Sequence, residues 1–292
     1  MTNRRDFLLA LGASALAPSV VRAAERAHQR AAGCANPGSS AMHLRGVGIQ
    51  MYMMRDEMRA DLDASLARVA RLGYEEVEWW GTWGRTPAQL RTLLDGIGLR
   101  VPTSHVGSDA LEPAALDATL DNAATMGIHT VIVAGMGRGY ADDADGWKRA
   151  AQLLSTAGAK AAPLGIRIGY HNHDREFRKH GAMSALEILI TESDAASVDF
   201  QLDCYWAFKG GADPLAFLKA HKDRIAHLHL KDAAAAAPHA QVDLGKGVID
   251  WKGLISTGLA QRVVTVTLDM DDPADAWASA GSCRSYLRGL GY

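Results

Sequence analysis

From Gly46 onward, short runs rich in β-branched and aromatic residues alternate with stretches whose apolar positions recur at helical spacing. The pattern predicts strands at Val47–Tyr52, Glu76–Trp80, Val101–Val106, Thr130–Ala134, Arg167–His173, Val198–Tyr205, Ile225–Lys231 and Val263–Asp269. Between them it predicts helices over Leu62–Leu72, Pro87–Ile97, Ala114–Met126, Gly146–Leu164, Ser184–Thr191 and Pro214–His221. The seventh connection breaks the rule, passing through an alanine-rich segment to a short helical turn at Trp251–Ser256. Eight strands alternating with helices pair in parallel, and at this length they close into one (β/α)8 TIM barrel of the α/β class. An open doubly wound sheet would carry a glycine-rich phosphate loop after its first strand, where this chain has Tyr52-Met53-Met54-Arg55.

Alternation within each strand separates a helix-facing parity from a barrel-facing one. In the sixth strand Val198, Phe200 and Leu202 oppose Asp199, Gln201 and Asp203; in the seventh, Leu228 and Leu230 oppose His227, His229 and Lys231. The apolar parity must cover the helices, so the polar one faces inward. Its last members converge on the C-terminal mouth: Glu78, His105, His171, His173, Asp203, His229, Lys231 and Asp269. An unpaired buried group of this kind costs several kcal/mol, about 2–7 for a neutral one and more for a charge. Eight in one place therefore argue for catalysis or ligand binding at the face where barrels of this kind work. An ion pair with Arg55 is the competing use of Glu78. Tryptophans such as Trp206 serve either rim packing or a sugar platform.

The first 43 residues do not fit the alternation. Arg4-Arg5 precedes an apolar run from Leu8 to Val21 and the small residues Ala23-Ala24. That is the layout of a twin-arginine export signal. The run, at about 14 residues, is short of the ~20 a spanning helix needs. The expected organisation is a signal peptide over residues 1–24 cut between Ala23 and about Glu25, a linker over 25–43, and the barrel over 44–292. A periplasmic or secreted location follows. The net charge of −2, with no basic run in the barrel, excludes a nucleic-acid partner. Three cysteines without close spacing indicate neither a zinc knuckle nor a disulfide framework.

Several short motifs then resemble one family in order. They are Gly48-Ile49-Gln50-Met51-Tyr52, Gly73-Tyr74-Glu75-Glu76-Val77-Glu78, Ser104-His105-Val106, Gly169-Tyr170-His171-Asn172-His173-Asp174, Leu202-Asp203-Cys204-Tyr205-Trp206, His227-Leu228-His229-Leu230-Lys231-Asp232 and Leu244-Gly245-Lys246-Gly247. Together they resemble the sugar phosphate isomerase/epimerase family with its xylose-isomerase-like TIM barrel. The resemblance implies a divalent ion held from strands five to eight, usually by Glu, Asp, His and Glu. Asp203 and His229 match the second and third ligands. His171 stands where many members have Glu. The last Glu falls near Thr267, with Asp269 the nearest inward carboxylate.

On this reading the metal ligands are His171, Asp203, His229 and Asp269. Imidazole and carboxylate donors suit Mn²⁺, Co²⁺ or Zn²⁺ better than Mg²⁺. His171 or His173 acts as the base and Lys231 stabilises the developing oxyanion, while Glu78, His105 and Trp206 bind substrate hydroxyls. The expected activity is isomerisation or epimerisation of a sugar by metal-assisted proton transfer next to a carbonyl. The alternatives are a metal-assisted lyase, hydrolase or dehydratase on an oxidised sugar, and a non-catalytic carbohydrate-binding barrel. The partner in each case is a small sugar or polyol, and a homo-oligomer is compatible with all three.

Overall fold

In the computed structural model, residues 46–137, 139–141 and 143–292 are described. The expected signal and linker, residues 1–43, lie outside them. Eight strands form a closed parallel barrel: β1 (Val47–Gln50), β2 (Glu76–Trp79), β3 (Arg100–Val106), β4 (Thr130–Val133), β5 (Arg167–His171), β6 (Val198–Asp203), β7 (Ile225–Leu230) and β8 (Thr265–Leu268). Neighbours follow chain order around the ring, and β8 closes onto β1. This is the expected (β/α)8 barrel.

Helices α1 (Arg55–Ala60), α2 (Leu62–Leu72), α3 (Pro87–Ile97), α4 (Leu116–Met126), α5 (Ala144–Ala161), α6 (Ala185–Glu192), α7 (Cys204–Lys209), α8 (Pro214–Ala220), α9 (Trp251–Ala260) and α10 (Ala276–Gly289) cover the outside. Their limits follow capping chemistry. Thr86 and Ser184 open α3 and α6 with reciprocal capping boxes, and Gly73 closes α2 in a left-handed conformation that a side chain would strain. No helix among the described residues is long and apolar enough to cross a membrane.

The elements depart from the expected pattern in several places, and the first and fifth strands stop at Gln50 and His171 rather than Tyr52 and His173. The sixth strand stops at Asp203, not Tyr205, because the Asp203 carboxylate caps α7 by accepting the Trp206 N–H at 2.8 Å. The turn expected at Trp251–Ser256 is a ten-residue helix, α9, opened by Asp250. Helix α10, not anticipated, seals the barrel's flank with Cys283 and Leu287 buried.

The inward parity is as the alternation implied. Gly169 on β5 faces the interior where a Cβ would meet the Ile132 side chain at 2.9 Å, so only glycine lets β4 and β5 pack at that level. Deeper in the barrel His227 is buried, with Nδ1 2.9 Å from the Thr265 hydroxyl and Nε2 without a partner. Burial lowers its pKa to about 4, against the pull of Asp199 and Glu78. The folded state therefore binds fewer protons than the unfolded chain below pH 6.5. Stability is present above that pH and is lost as pH falls toward 4. The shift corresponds to about 3 kcal/mol. Urea midpoints at pH 7 and pH 4.5 should differ by less in His227→Gln than in the parent protein. An unchanged pH dependence would refute this role.

Candidate active site at the C-terminal mouth of the barrel

Adjacent strands bring three donor atoms together. Asp203 on β6 is in register with His229 on β7, and His229 with Thr267 on β8. Asp269, one inward step beyond Thr267, leaves its Oδ2 3.4 Å from His229 Nδ1, while Asp203 Oδ2 is 3.8 Å away. Asp203, His229 and Asp269 each offer one ligand atom, all within 4.8 Å of one another. Asp203 Oδ2, His229 Nδ1 and Asp269 Oδ1 are buried and make no hydrogen bond. Native interiors rarely leave such atoms unpaired. Apart from the 3.4 Å approach of Lys231 Nζ to Asp203 Oδ2, these atoms have no partner, and a divalent cation would satisfy them, so the residues present fit the ion that the resemblance implied.

Each donor is aimed by neighbours. Asp203 spends Oδ1 on capping α7, and its backbone is clamped to β5 by Asn172, whose side chain accepts Asp203 N–H at 3.0 Å and donates to its carbonyl at 3.2 Å. His229 donates Nε2–H to Glu78 Oε1 at 2.6 Å, which turns Nδ1 toward the aspartates. A carboxylate behind a ligating imidazole is the usual means of fixing tautomer and orientation.

The charges are strongly coupled. Burial opposes protonation of His229, yet Glu78 and Asp269 raise its pKa to about 10. Burial likewise opposes ionisation of Glu78, but His105 and His229 hold it well below the usual carboxylate range. Burial pushes Asp203 up, against Lys231 and His229. Asp269 is also desolvated, but its contact with Lys231 at 2.6 Å and its place beside His229 bring it below the ordinary value. Burial, reinforced by His229, keeps His171 neutral at neutral pH, and burial lowers His173 as well.

Above this floor lies a cavity of about 910 Å³, lined among others by His105, His171, His173, Trp206 and Asp269. The indole N–H of Trp206 has no partner.

Three placements differ from the sequence reading. His171, expected beside Asp203, pairs in register with Gln201, two residues earlier on β6. Its Nδ1 lies 3.0 Å from Gln201 Oε1, and it groups with His105 and His229; Asp269 takes the third place. Glu78 does not line the cavity. Its side chain is wholly enclosed, accepting from Gln50, Thr103, Gln201, His105 and His229, while Arg55 pairs with Asp272 instead. Lys231 does not line the cavity. It is fully buried, with Nζ 2.6, 3.0 and 3.4 Å from Asp269, Asp271 and Asp203, and holds three carboxylates together.

Gln50, Gln201, Asn172 and Asp271 carry the arrangement without having been singled out. The inward parity of Gln201 was a usable signal; the others depend on contacts across the barrel or beyond a strand end.

Residues 66–257 match a family model described as xylose isomerase-like TIM barrel. An inosose dehydratase of Lacticaseibacillus casei is 28% identical over 181 residues, which span 55% of this chain and 59% of that protein. Among solved structures, a sugar phosphate isomerase/epimerase of Parabacteroides distasonis superposes with a TM-score of 0.73 at 21% identity, over 86% of this chain and 96% of that one. The IOLI protein, solved with a bound zinc atom, gives 0.65 at 14% identity, over 84% and 97%.

Proposed function

Since the chain belongs to the xylose isomerase-like TIM barrel family, we propose that it is an enzyme that removes the proton beside the carbonyl of an oxidised sugar or polyol and expels a hydroxyl from the next carbon as water. The observation that carries this reading is the convergence of Asp203, His229 and Asp269, each offering one ligand atom within 4.8 Å of the others, beneath a cavity walled by the neutral His171 and His173. Mixed imidazole and carboxylate donors suit zinc, manganese or cobalt, and the zinc in the structurally similar IOLI protein supports that choice. When bound, the ion would polarise the carbonyl and acidify the adjacent carbon-bound proton.

The chain's own residues do the rest. His173, neutral and at the cavity wall, accepts the proton on its imidazole. The electron pair left on carbon forms a double bond as the hydroxyl on the neighbouring carbon departs, and that hydroxyl takes the proton from His173 to leave as water. Trp206 lines the cavity and offers its ring to the substrate. Glu78 keeps His229 Nδ1 turned toward the aspartates that would hold the ion with it, and Lys231 holds the carboxylates close despite their mutual repulsion.

Water loss is favoured over simple reprotonation by the dehydratases among the relatives. Reprotonation, giving an isomer or epimer, is the second reading, favoured by the isomerase/epimerase likeness of the fold. Metal-loaded protein incubated with keto-sugars and keto-inositols in D₂O should give a product lighter by one water, a hydroxy-enone or its dicarbonyl tautomer, read by mass. A product that has lost no water and has exchanged a carbon-bound hydrogen for deuterium would select the second reading. Neither outcome with any substrate would sink both. His173→Ala should slow turnover by about 10²–10⁴-fold while keeping its metal.

We also propose that Arg4 and Arg5 send the chain out of the cytoplasm through the twin-arginine route. Replacing both with lysine should retain it in the cytoplasm. Unchanged export in a strain lacking that translocase would refute the route.

A further inference from the structure

The mouth of the cavity is not symmetric. The orphaned donors and His173 lie at the ends of β5 to β8, while the ends of β1 and β2, which in the closed ring stand opposite β5 and β6, carry Tyr52 and Trp80. Both rings line the cavity. Their centroids are 5.1 Å apart and their planes stand at 86°, so they form a corner. Tyr52 is 39% exposed, a rare condition for a large apolar ring among the described residues.

The corner is braced from behind. Gln50, anchored on Glu78, accepts the Tyr52 N–H at 3.0 Å. Arg55, held by Asp272, places its guanidinium 4.6 Å from the Tyr52 ring centre. Trp83 meets Trp80 edge-on at 5.5 Å and donates its indole N–H to the Trp80 carbonyl at 2.5 Å. It does so from a backbone with φ of 53°, a conformation that costs a bulky residue roughly 1–3 kcal/mol and is found mainly where a site requires it. Trp79 ties the same loop by donating to the Gly81 carbonyl at 2.7 Å. Tyr52, exposed, and Trp80, half-buried, are held firmly by these neighbours and present ring surface to the cavity.

The volume agrees. About 910 Å³ is near the top of the roughly 300–1,000 Å³ range of pockets that enclose ligands of drug size, more than one sugar ring fills.

We propose that the cavity takes a two-ring substrate, a glycoside whose first ring sits over Asp203, His229 and Asp269 and whose second ring packs into the corner of Tyr52 and Trp80. The inference rests on the reading of the site above and extends it from a free sugar or polyol to a ring-substituted one. The second ring needs only an apolar face, which a phenyl group or the underside of a second sugar supplies.

The test is binding, measured by calorimetry on the full chain with methyl and phenyl β-glycosides of glucose and galactose, and with cellobiose. A phenyl glycoside should bind about tenfold tighter than its methyl counterpart, the scale of one or two aromatic contacts. In Tyr52→Ala and Trp80→Ala that ratio should fall toward one with methyl glycoside affinity unchanged. Tyr52 is exposed, so its variant is the one expected to fold as the parent does. His173→Ala, across the mouth, should preserve the ratio. Cellobiose matching the phenyl glycoside identifies the second ring as a sugar; a gain for phenyl alone identifies it as aromatic. Equal affinities in the parent protein, no binding of any probe, or a ratio that survives both variants would overturn the proposal. Because the readout needs no turnover, an intact ratio with neither loss of water nor deuterium exchange would fault the chemistry and leave the corner standing.

Discussion

Asp203→Asn is expected to abolish tight metal binding and to lower turnover by about three orders of magnitude with the fold intact. The asparagine oxygen still accepts the Trp206 N–H that opens α7, and the backbone clamp from Asn172 is untouched. What disappears is one anionic ligand oxygen, Oδ2, which no hydrogen bond occupies. Losing several kcal/mol of carbonyl polarisation corresponds to about 10³ in rate at ~1.4 kcal/mol per tenfold. His171→Ala should retain metal, since its ring is bonded to Gln201 and stands with His105. Elemental analysis of the two purified variants, with circular dichroism to check folding, decides the matter. Metal retained by Asp203→Asn, or lost from His171→Ala, would place the ion with the histidines instead.

Glu78→Ala is expected to cost about 3–5 kcal/mol of stability, the scale of breaking a buried charge network. Five side chains from β1, β3, β6 and β7 converge on this carboxylate: Gln50, Thr103, His105, Gln201 and His229. Truncation strands their donors and takes away the acceptor of the His229 Nε2–H. The imidazole would then lose what aims Nδ1 at Asp203 and Asp269, so metal affinity should fall by about 10–100-fold as well. Urea unfolding followed by fluorescence gives the first quantity and competition with a chelating dye the second. A variant as stable as the parent, failing only in substrate binding, would restore Glu78 to the cavity wall.

The two outcomes separate what parity can tell from what it cannot. Alternation along β6 and β7 correctly turned Asp203 and His229 inward, because a strand's side chains have no third direction to take. It also turned Glu78 and Lys231 inward, and there its reach ended. Whether an inward side chain meets substrate or another side chain depends on what stands across the barrel. Gln201 comes from β6 to meet Glu78 on β2, 123 residues away along the chain. Lys231 is closed off by Asp271, which Gln241 and Arg55 hold from other connections.

The limits of α2 and α3 were legible for a local reason. Thr86, Gly73 and Gly98 act through hydrogen bonds a few residues away, so their meaning is carried in the sequence around them. The end of β6 was not, because Asp203 could continue a strand or cap a helix, and only the chain that follows chooses.

Periodicity over a few residues was enough for the barrel, its inward parity and the polar groups turned inward near its mouth. The tertiary structure alone decided how those groups divide. The inter-strand register sets His171 level with Gln201 rather than Asp203, and leaves Asp269 within reach of His229. Closure of the ring sets Tyr52 and Trp80 opposite the donors. Register and closure are fixed by packing summed over the whole barrel, and no short stretch of chain contains that sum.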